Sequence, residues 1–157
     1  MINLIANLIA LLGALIGQVS CEQAVEDADF THVAGLEMSC ITTEYRDLIL
    51  PESGAVGWFN GDENHIYLLN DQGYQYTTEI ISHEVGHAWD LQLGTNFNGY
   101  PSFFSETNTD FDVEEFARMY SHYRGMWPAN EDLTYHQVIP TQDDYEAMVS
   151  AGWLPRQ

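Results

Sequence analysis

The chain has 157 residues, 45% of them hydrophobic and 13% aromatic, which suffices for one folded domain and excludes a wholly disordered chain. Against 24 acidic residues stand four arginines and no lysine, so the formal net charge is −20 at pH 7. Such a surface repels nucleic-acid phosphates, and we therefore expect no nucleic-acid partner.

The N-terminal segment is almost wholly apolar over residues 1–16, and the acidic part of the chain begins only at Glu22. It is similar to the hydrophobic region of a signal peptide and is short for a membrane span, which needs about 20 residues. We divide the chain into an export- or anchor-like segment, residues 1–20, and a single domain, residues 21–157, and expect a secreted or membrane-anchored protein. The alternative is an uncleaved segment whose residues 2–16 anchor the chain in a membrane or contact a partner in a larger particle.

Two cysteines, Cys21 and Cys40, follow this segment. An even number of cysteines in an exported chain favours a disulfide, which contributes about 3 kcal/mol by the chain-entropy relation.

The predicted elements begin with weak helical spacing over residues 22–50. Two short strands rich in β-branched and aromatic residues follow, Gly54–Phe59 and His65–Asn70, and turn-forming residues between them predict a hairpin. We expect His65–Asn70 to be an edge strand able to pair with an extended substrate.

Three helices complete the prediction. The first runs from about Thr78 to Leu93, the second from about Asp112 to Tyr123, and the last ends near Gly152. The polar loop between the first two, residues 94–110, has a composition typical of a substrate-cleft rim.

The first of these helices carries an HExxH pattern at His83, Glu84 and His87. Helical positions i and i+4 share one face, so both imidazoles can bind a single tetrahedral ion while Glu84 projects towards its open fourth position. A carboxylate there deprotonates a water that the metal activates. The pattern predicts zinc, with His83 and His87 as ligands and Glu84 as general base. The alternative is a half-buried helix whose two histidines bond to backbone groups.

A catalytic zinc site needs a third protein ligand, and downstream spacing distinguishes the possibilities. The metzincin pattern would place a histidine at position 93, which is Leu93, and is excluded. An aspzincin-like arrangement finds no aspartate after the helix before Asp110. The next helix offers two adjacent candidates, Glu114 and Glu115. Glu115 falls nearer the apolar stripe, but helical spacing alone does not decide between the two.

Taken together, these motifs resemble the anthrax-lethal-factor-like metallopeptidases, a gluzincin group, over roughly residues 54–123. The resemblance rests on the hairpin, on the helix segment His83–Asp90 and on the Glu-x-Phe-Ala core of the following helix. It implies an α+β zincin-like domain in which a small antiparallel sheet packs on the HExxH helix and a following ligand helix. It also implies that Glu114, the glutamate before x-Phe-Ala, is the third ligand, with Glu115 as the alternative.

Two supporting roles are also predicted. Asp90 lies three residues after His87, where it can accept a hydrogen bond from a ligand imidazole and orient it. The transition-state tyrosine of the similar family has no counterpart at residues 105–108. The candidate oxyanion donors are therefore Tyr100, Tyr120, His122, Tyr123, Tyr135 and His136.

We thus expect a zinc-dependent endopeptidase that acts on a protein or peptide substrate. The alternative is a non-catalytic binding or structural protein, such as a surface or particle component, that keeps a zinc-stabilised fold.

Overall fold

A computed structural model describes residues 20–50, 54–94, 113–125 and 142–156. Its helices and strands, in chain order, are α1 (20–27), β1 (Glu37–Ile41), α2 (Thr43–Ile49), β2 (Gly57–Asn60), β3 (His65–Leu69), α3 (Tyr74–Leu93), α4 (Val113–Tyr123) and α5 (Gln142–Ser150). The chain is therefore a mixed α+β protein, as predicted.

Contacts group the described residues into two compact units. The first comprises residues 20–29 and Gly35–Ile81, and the second comprises Phe30–Ala34 with the described residues from Ser82 onward. Helix α3 contributes its first turns to one unit and its HExxH turns to the other. The single domain expected over residues 21–157 stays a prediction.

The first unit is built on a three-stranded sheet of order β1-β3-β2. The hairpin partner β2 is antiparallel to β3 as predicted, but β1 is parallel to it, so the expectation of a purely antiparallel sheet is wrong. Residues of β3 alternate between faces, with Ile66 and Leu68 fully buried and Tyr67 on the opposite face. Since β3 pairs on both sides, it is not the predicted edge strand; β1 and β2 are the edges among the described strands.

Strand β1 was not predicted because its five residues carry no long apolar alternation and its parallel partner lies far along the chain. The predicted disulfide is confirmed: Cys21 of α1 is bonded to Cys40 of β1, with their Cα atoms 6.1 Å apart. It ties α1 to the sheet.

Helix α3 begins at Tyr74, four residues before the predicted start. Its first turn contains tyrosines, which propensity assigns to strands, but one tertiary hydrogen bond and two local ones stabilise the helix there. The Tyr74 hydroxyl donates to the Asp27 carboxylate at 2.8 Å, and both the backbone N–H and the hydroxyl of Thr77 donate to the Gly73 carbonyl.

The second unit packs the later turns of α3 with α4, α5 and the residues after α5. Phe116, Ala117 and Tyr120 of α4 are fully buried. The Trp89 indole N–H donates to the Trp153 carbonyl at 2.9 Å, so α3 is tied to the residues that follow α5.

Several predictions lie outside the described residues, among them the apolar segment up to residue 19 and the loop after α3. In the parts of the chain that the structure describes, no helix is long and apolar enough to cross a membrane.

Candidate metal centre

The two histidines of the HExxH pattern face one another on α3. One helical turn separates them, their ring planes are nearly perpendicular at 89°, and their Nε2 atoms lie 3.2 Å apart. Both imidazoles therefore direct their Nε2 atoms towards one point. If Nε2 binds a metal, the proton of the neutral imidazole is on Nδ1.

Helix α4 brings the carboxylate of Glu114 to the same point. Its Oε2 lies 3.2 Å from His83 Nε2, and its Oε1 lies 3.4 Å from His87 Nε2. A tetrahedral ion with metal–ligand distances of about 2.0–2.1 Å separates its ligand atoms by about 3.3–3.4 Å. The separation of the two Nε2 atoms and the shortest distance from each imidazole to the carboxylate are close to those tetrahedral edges. The two carboxylate distances end on different oxygens, and one ligand atom from each residue lies within 4.8 Å of the others, so His83, His87 and Glu114 could hold a metal ion.

The helices can bring these groups together because α3 carries a glycine where it meets α4. A Cβ atom at Gly86 would lie 2.7 Å from the Cα atom of Ala117 and 3.1 Å from its carbonyl oxygen. Only a residue without a side chain fits so close an approach. His83 and Glu114 each lie three residues before their helix's contact position, so the Gly86–Ala117 contact fixes the distance between ligands.

Burial keeps His83 neutral at physiological pH. Its side chain is 15% exposed, and burial, followed by repulsion from His87, lowers its pKa from 6.5 to about 4. Glu114 opposes this shift, while the positive charge of Arg118 adds to it. Because only a neutral imidazole offers a lone pair, the shift prepares His83 as a ligand.

The Glu114 side chain is 48% exposed, whereas those of His83 and His87 are 15% and 16% exposed. The cluster therefore lies partly buried on α3 and reaches solvent on the Glu114 side.

Two other predicted residues are carboxylates of α3. Glu84 is 8% exposed and Asp90 is 7% exposed. A carboxylate this buried needs a partner, and Glu84 lies beside the ligand His83 in the chain. The roles predicted for both residues stay predictions, as does the choice between Glu114 and Glu115, because the Glu115 side chain lies outside the described ones.

The described residues that were candidates for the oxyanion donor already make other hydrogen bonds. The Tyr120 hydroxyl is buried against His32 Nε2 at 2.6 Å, and the Tyr123 hydroxyl donates to the Pro155 carbonyl at 2.8 Å. His122 Nδ1 lies 2.7 Å from the Tyr145 hydroxyl. The other candidates, Tyr100, Tyr135 and His136, lie outside the described residues.

Arg118, near the cluster, was not predicted from the sequence as a site residue. Arg118 lies one helical turn after Glu114, and its charge acts on His83. The i, i+4 spacing from Glu114 was visible in the sequence, but on a helix surface it usually indicates an ordinary salt bridge.

No family model, curated protein or solved structure matches the chain.

Proposed function

We propose that the chain is a zinc-dependent endopeptidase with a zincin-like arrangement of an HExxH helix and a following ligand helix. The observation that carries the proposal is the meeting of His83 Nε2 and His87 Nε2, 3.2 Å apart, with the Glu114 carboxylate, whose Oε2 lies 3.2 Å from His83 Nε2 and whose Oε1 lies 3.4 Å from His87 Nε2. The HExxH pattern supplies the two imidazoles, and the carboxylate comes from the helix that the resemblance to lethal-factor-like peptidases indicated.

Two imidazole nitrogens and one carboxylate form a donor set typical of catalytic zinc, which keeps a fourth position for water or substrate. Harder cations such as Mg²⁺ and Ca²⁺ prefer all-oxygen sites, which makes zinc the better assignment. Bound zinc would supply a Lewis acid that polarises the scissile carbonyl and acidifies a water molecule.

Glu84 performs the proton transfers in this proposal. It takes a proton from the water as the water oxygen attacks the carbonyl carbon, and then gives that proton to the amine nitrogen as the C–N bond breaks. Its burial suits the role, because a desolvated carboxylate is a stronger base towards a nearby proton donor. His83 and His87 hold the metal and move no proton.

The disulfide supports the proposed location outside the cytoplasm, since disulfides persist in oxidising compartments. Secretion or membrane anchoring through residues 2–16 is part of the proposal, with a larger particle as the alternative. The partner is a protein or peptide substrate.

The test is hydrolysis of an unstructured protein, such as labelled casein, by the full chain and by Glu84→Gln. The substitution keeps the side-chain size and removes the base, so activity should fall by about two to four orders of magnitude with zinc content unchanged. Equal activity in both forms would refute the mechanism. Stoichiometric zinc without hydrolysis of casein or of a broad peptide panel would favour the non-catalytic binding or structural protein.

A further inference from the structure

The proposed reaction places negative charge on the carbonyl oxygen, and peptide hydrolysis needs donors aimed at that oxygen. The described residues that the sequence suggested for this task, Tyr120, His122 and Tyr123, already bond to other groups of the second unit. A donor among the described residues would therefore be a different side chain, while Tyr100, Tyr135 and His136 lie outside the described residues.

Arg118 has the position and chemistry for the task. It follows Glu114 by four residues on α4, and positions i and i+4 share a helix face, so it lies on the ligand side of α4. Its side chain is half-buried. Its guanidinium presents several N–H donors in a rigid plane.

The guanidinium also has no ion-pair partner among the described residues. Glu114 stands at the spacing that commonly forms a helical salt bridge with an arginine, yet its carboxylate contacts the two imidazoles. No ion pair links Arg118 to any described carboxylate. By contrast, Arg46 pairs with Asp47, and Arg124 lies over the Phe30 ring.

We propose that Arg118 is a catalytic residue whose guanidinium donates a hydrogen bond to the scissile carbonyl oxygen and stabilises the negative charge that develops there. The inference rests on the proposed peptidase function. No bond to Arg118 forms or breaks: the electron pair of the carbonyl moves onto its oxygen during attack and returns when the amine leaves, while Arg118 keeps its proton.

Two measurements test the role in full-length protein. In the first, zinc-loaded protein freed of excess metal is titrated with inorganic phosphate, a tetrahedral anion that would occupy the open position beside Arg118. Arg118→Gln should weaken phosphate binding by about ten-fold or more, the usual effect of losing a charge-assisted hydrogen bond. The matched control is Arg156→Gln, which makes the same charge change at an exposed position and should bind phosphate like the wild type.

In the second, casein hydrolysis by Arg118→Gln should show kcat lower by about 10² to 10³ with KM nearly unchanged, since the interaction forms in the transition state. Arg118→Lys should recover part of the loss because it keeps the charge.

The outcomes separate the two proposals. A wild type that binds no zinc overturns the proposed function and this inference with it. If zinc binds but phosphate fails to bind, or binds wild type and Arg118→Gln equally, only the role of Arg118 is overturned. A change in KM alone would make Arg118 a substrate-binding residue and would also overturn the oxyanion role.

Discussion

Replacing Gly86 by alanine tests the contact on which the proposed metal site depends. The new Cβ atom would meet the Ala117 Cα atom at 2.7 Å, whereas ordinary contacts begin at 3.4 Å, so the helices must separate by about 0.7 Å. The distances from the two imidazole Nε2 atoms to the Glu114 oxygens, now 3.2 and 3.4 Å, would then approach about 4 Å. Metal–ligand distances tolerate a change of only about 0.2 Å.

Two energies compete in this variant. Alanine is the better helix former by about 1 kcal/mol, and overpacking costs about 1–3 kcal/mol. Because the clash is with backbone atoms, we expect overpacking to win and metal-free Gly86→Ala to be less stable than the wild type. Zinc affinity should fall by about ten-fold or more, as it does when the support of a metal ligand is lost.

The assay combines thermal unfolding without metal and zinc titration by competition with a chelator. Gly73→Ala is the matched control, since a Cβ there meets nothing within 4 Å. Adding Ala117→Gly to Gly86→Ala should not rescue binding, because the Cα atom and carbonyl oxygen of residue 117 remain at 2.7 and 3.1 Å. A more stable Gly86→Ala with wild-type zinc affinity would refute the close approach of α3 and α4.

Three further predictions concern stability and metal affinity. Burial lowers the pKa of His83 to about 4, so between pH 6.5 and 4 the unfolded chain binds a proton that the folded chain does not. Metal-free protein should therefore lose stability as pH falls through this window, by up to about 1.4 kcal/mol per pH unit, and the difference in chemical unfolding between wild type and His83→Gln measures this contribution. Reducing the bond between Cys21 and Cys40, which are 19 positions apart, should cost about 3 kcal/mol in denaturant unfolding; an unchanged midpoint would contradict the estimate. Asp90→Asn should weaken zinc binding by about 10- to 100-fold if Asp90 orients a ligand imidazole, and unaltered affinity would remove it from the site.

The HExxH helix and the glutamate helix could be predicted because their signals are local. Sequence signals for helix ends indicated α3 and α4 to within a few residues. The meeting of His83 and His87 on one face of α3 follows from the helical repeat alone.

What the sequence did not reveal depends on contacts between distant residues. Strand β1 is held by parallel pairing with β3, a long-range interaction that leaves no local pattern in Glu37–Ile41. The hydrogen bond between His32 and Tyr120 joins residues 88 positions apart, so no local pattern in the sequence indicated it. Arg118 was overlooked because only the structure shows that the Glu114 carboxylate contacts the two imidazoles.

The central claim is that His83, His87 and Glu114 hold zinc, and metal analysis of natively purified full-length protein after dialysis tests it most directly. We predict one zinc per chain for the wild type and for Glu26→Ala, an exposed glutamate of α1, and little zinc for Glu114→Ala. Glu115→Ala should retain its zinc. A wild type without zinc, or a Glu114→Ala variant that keeps a full equivalent, would contradict the account.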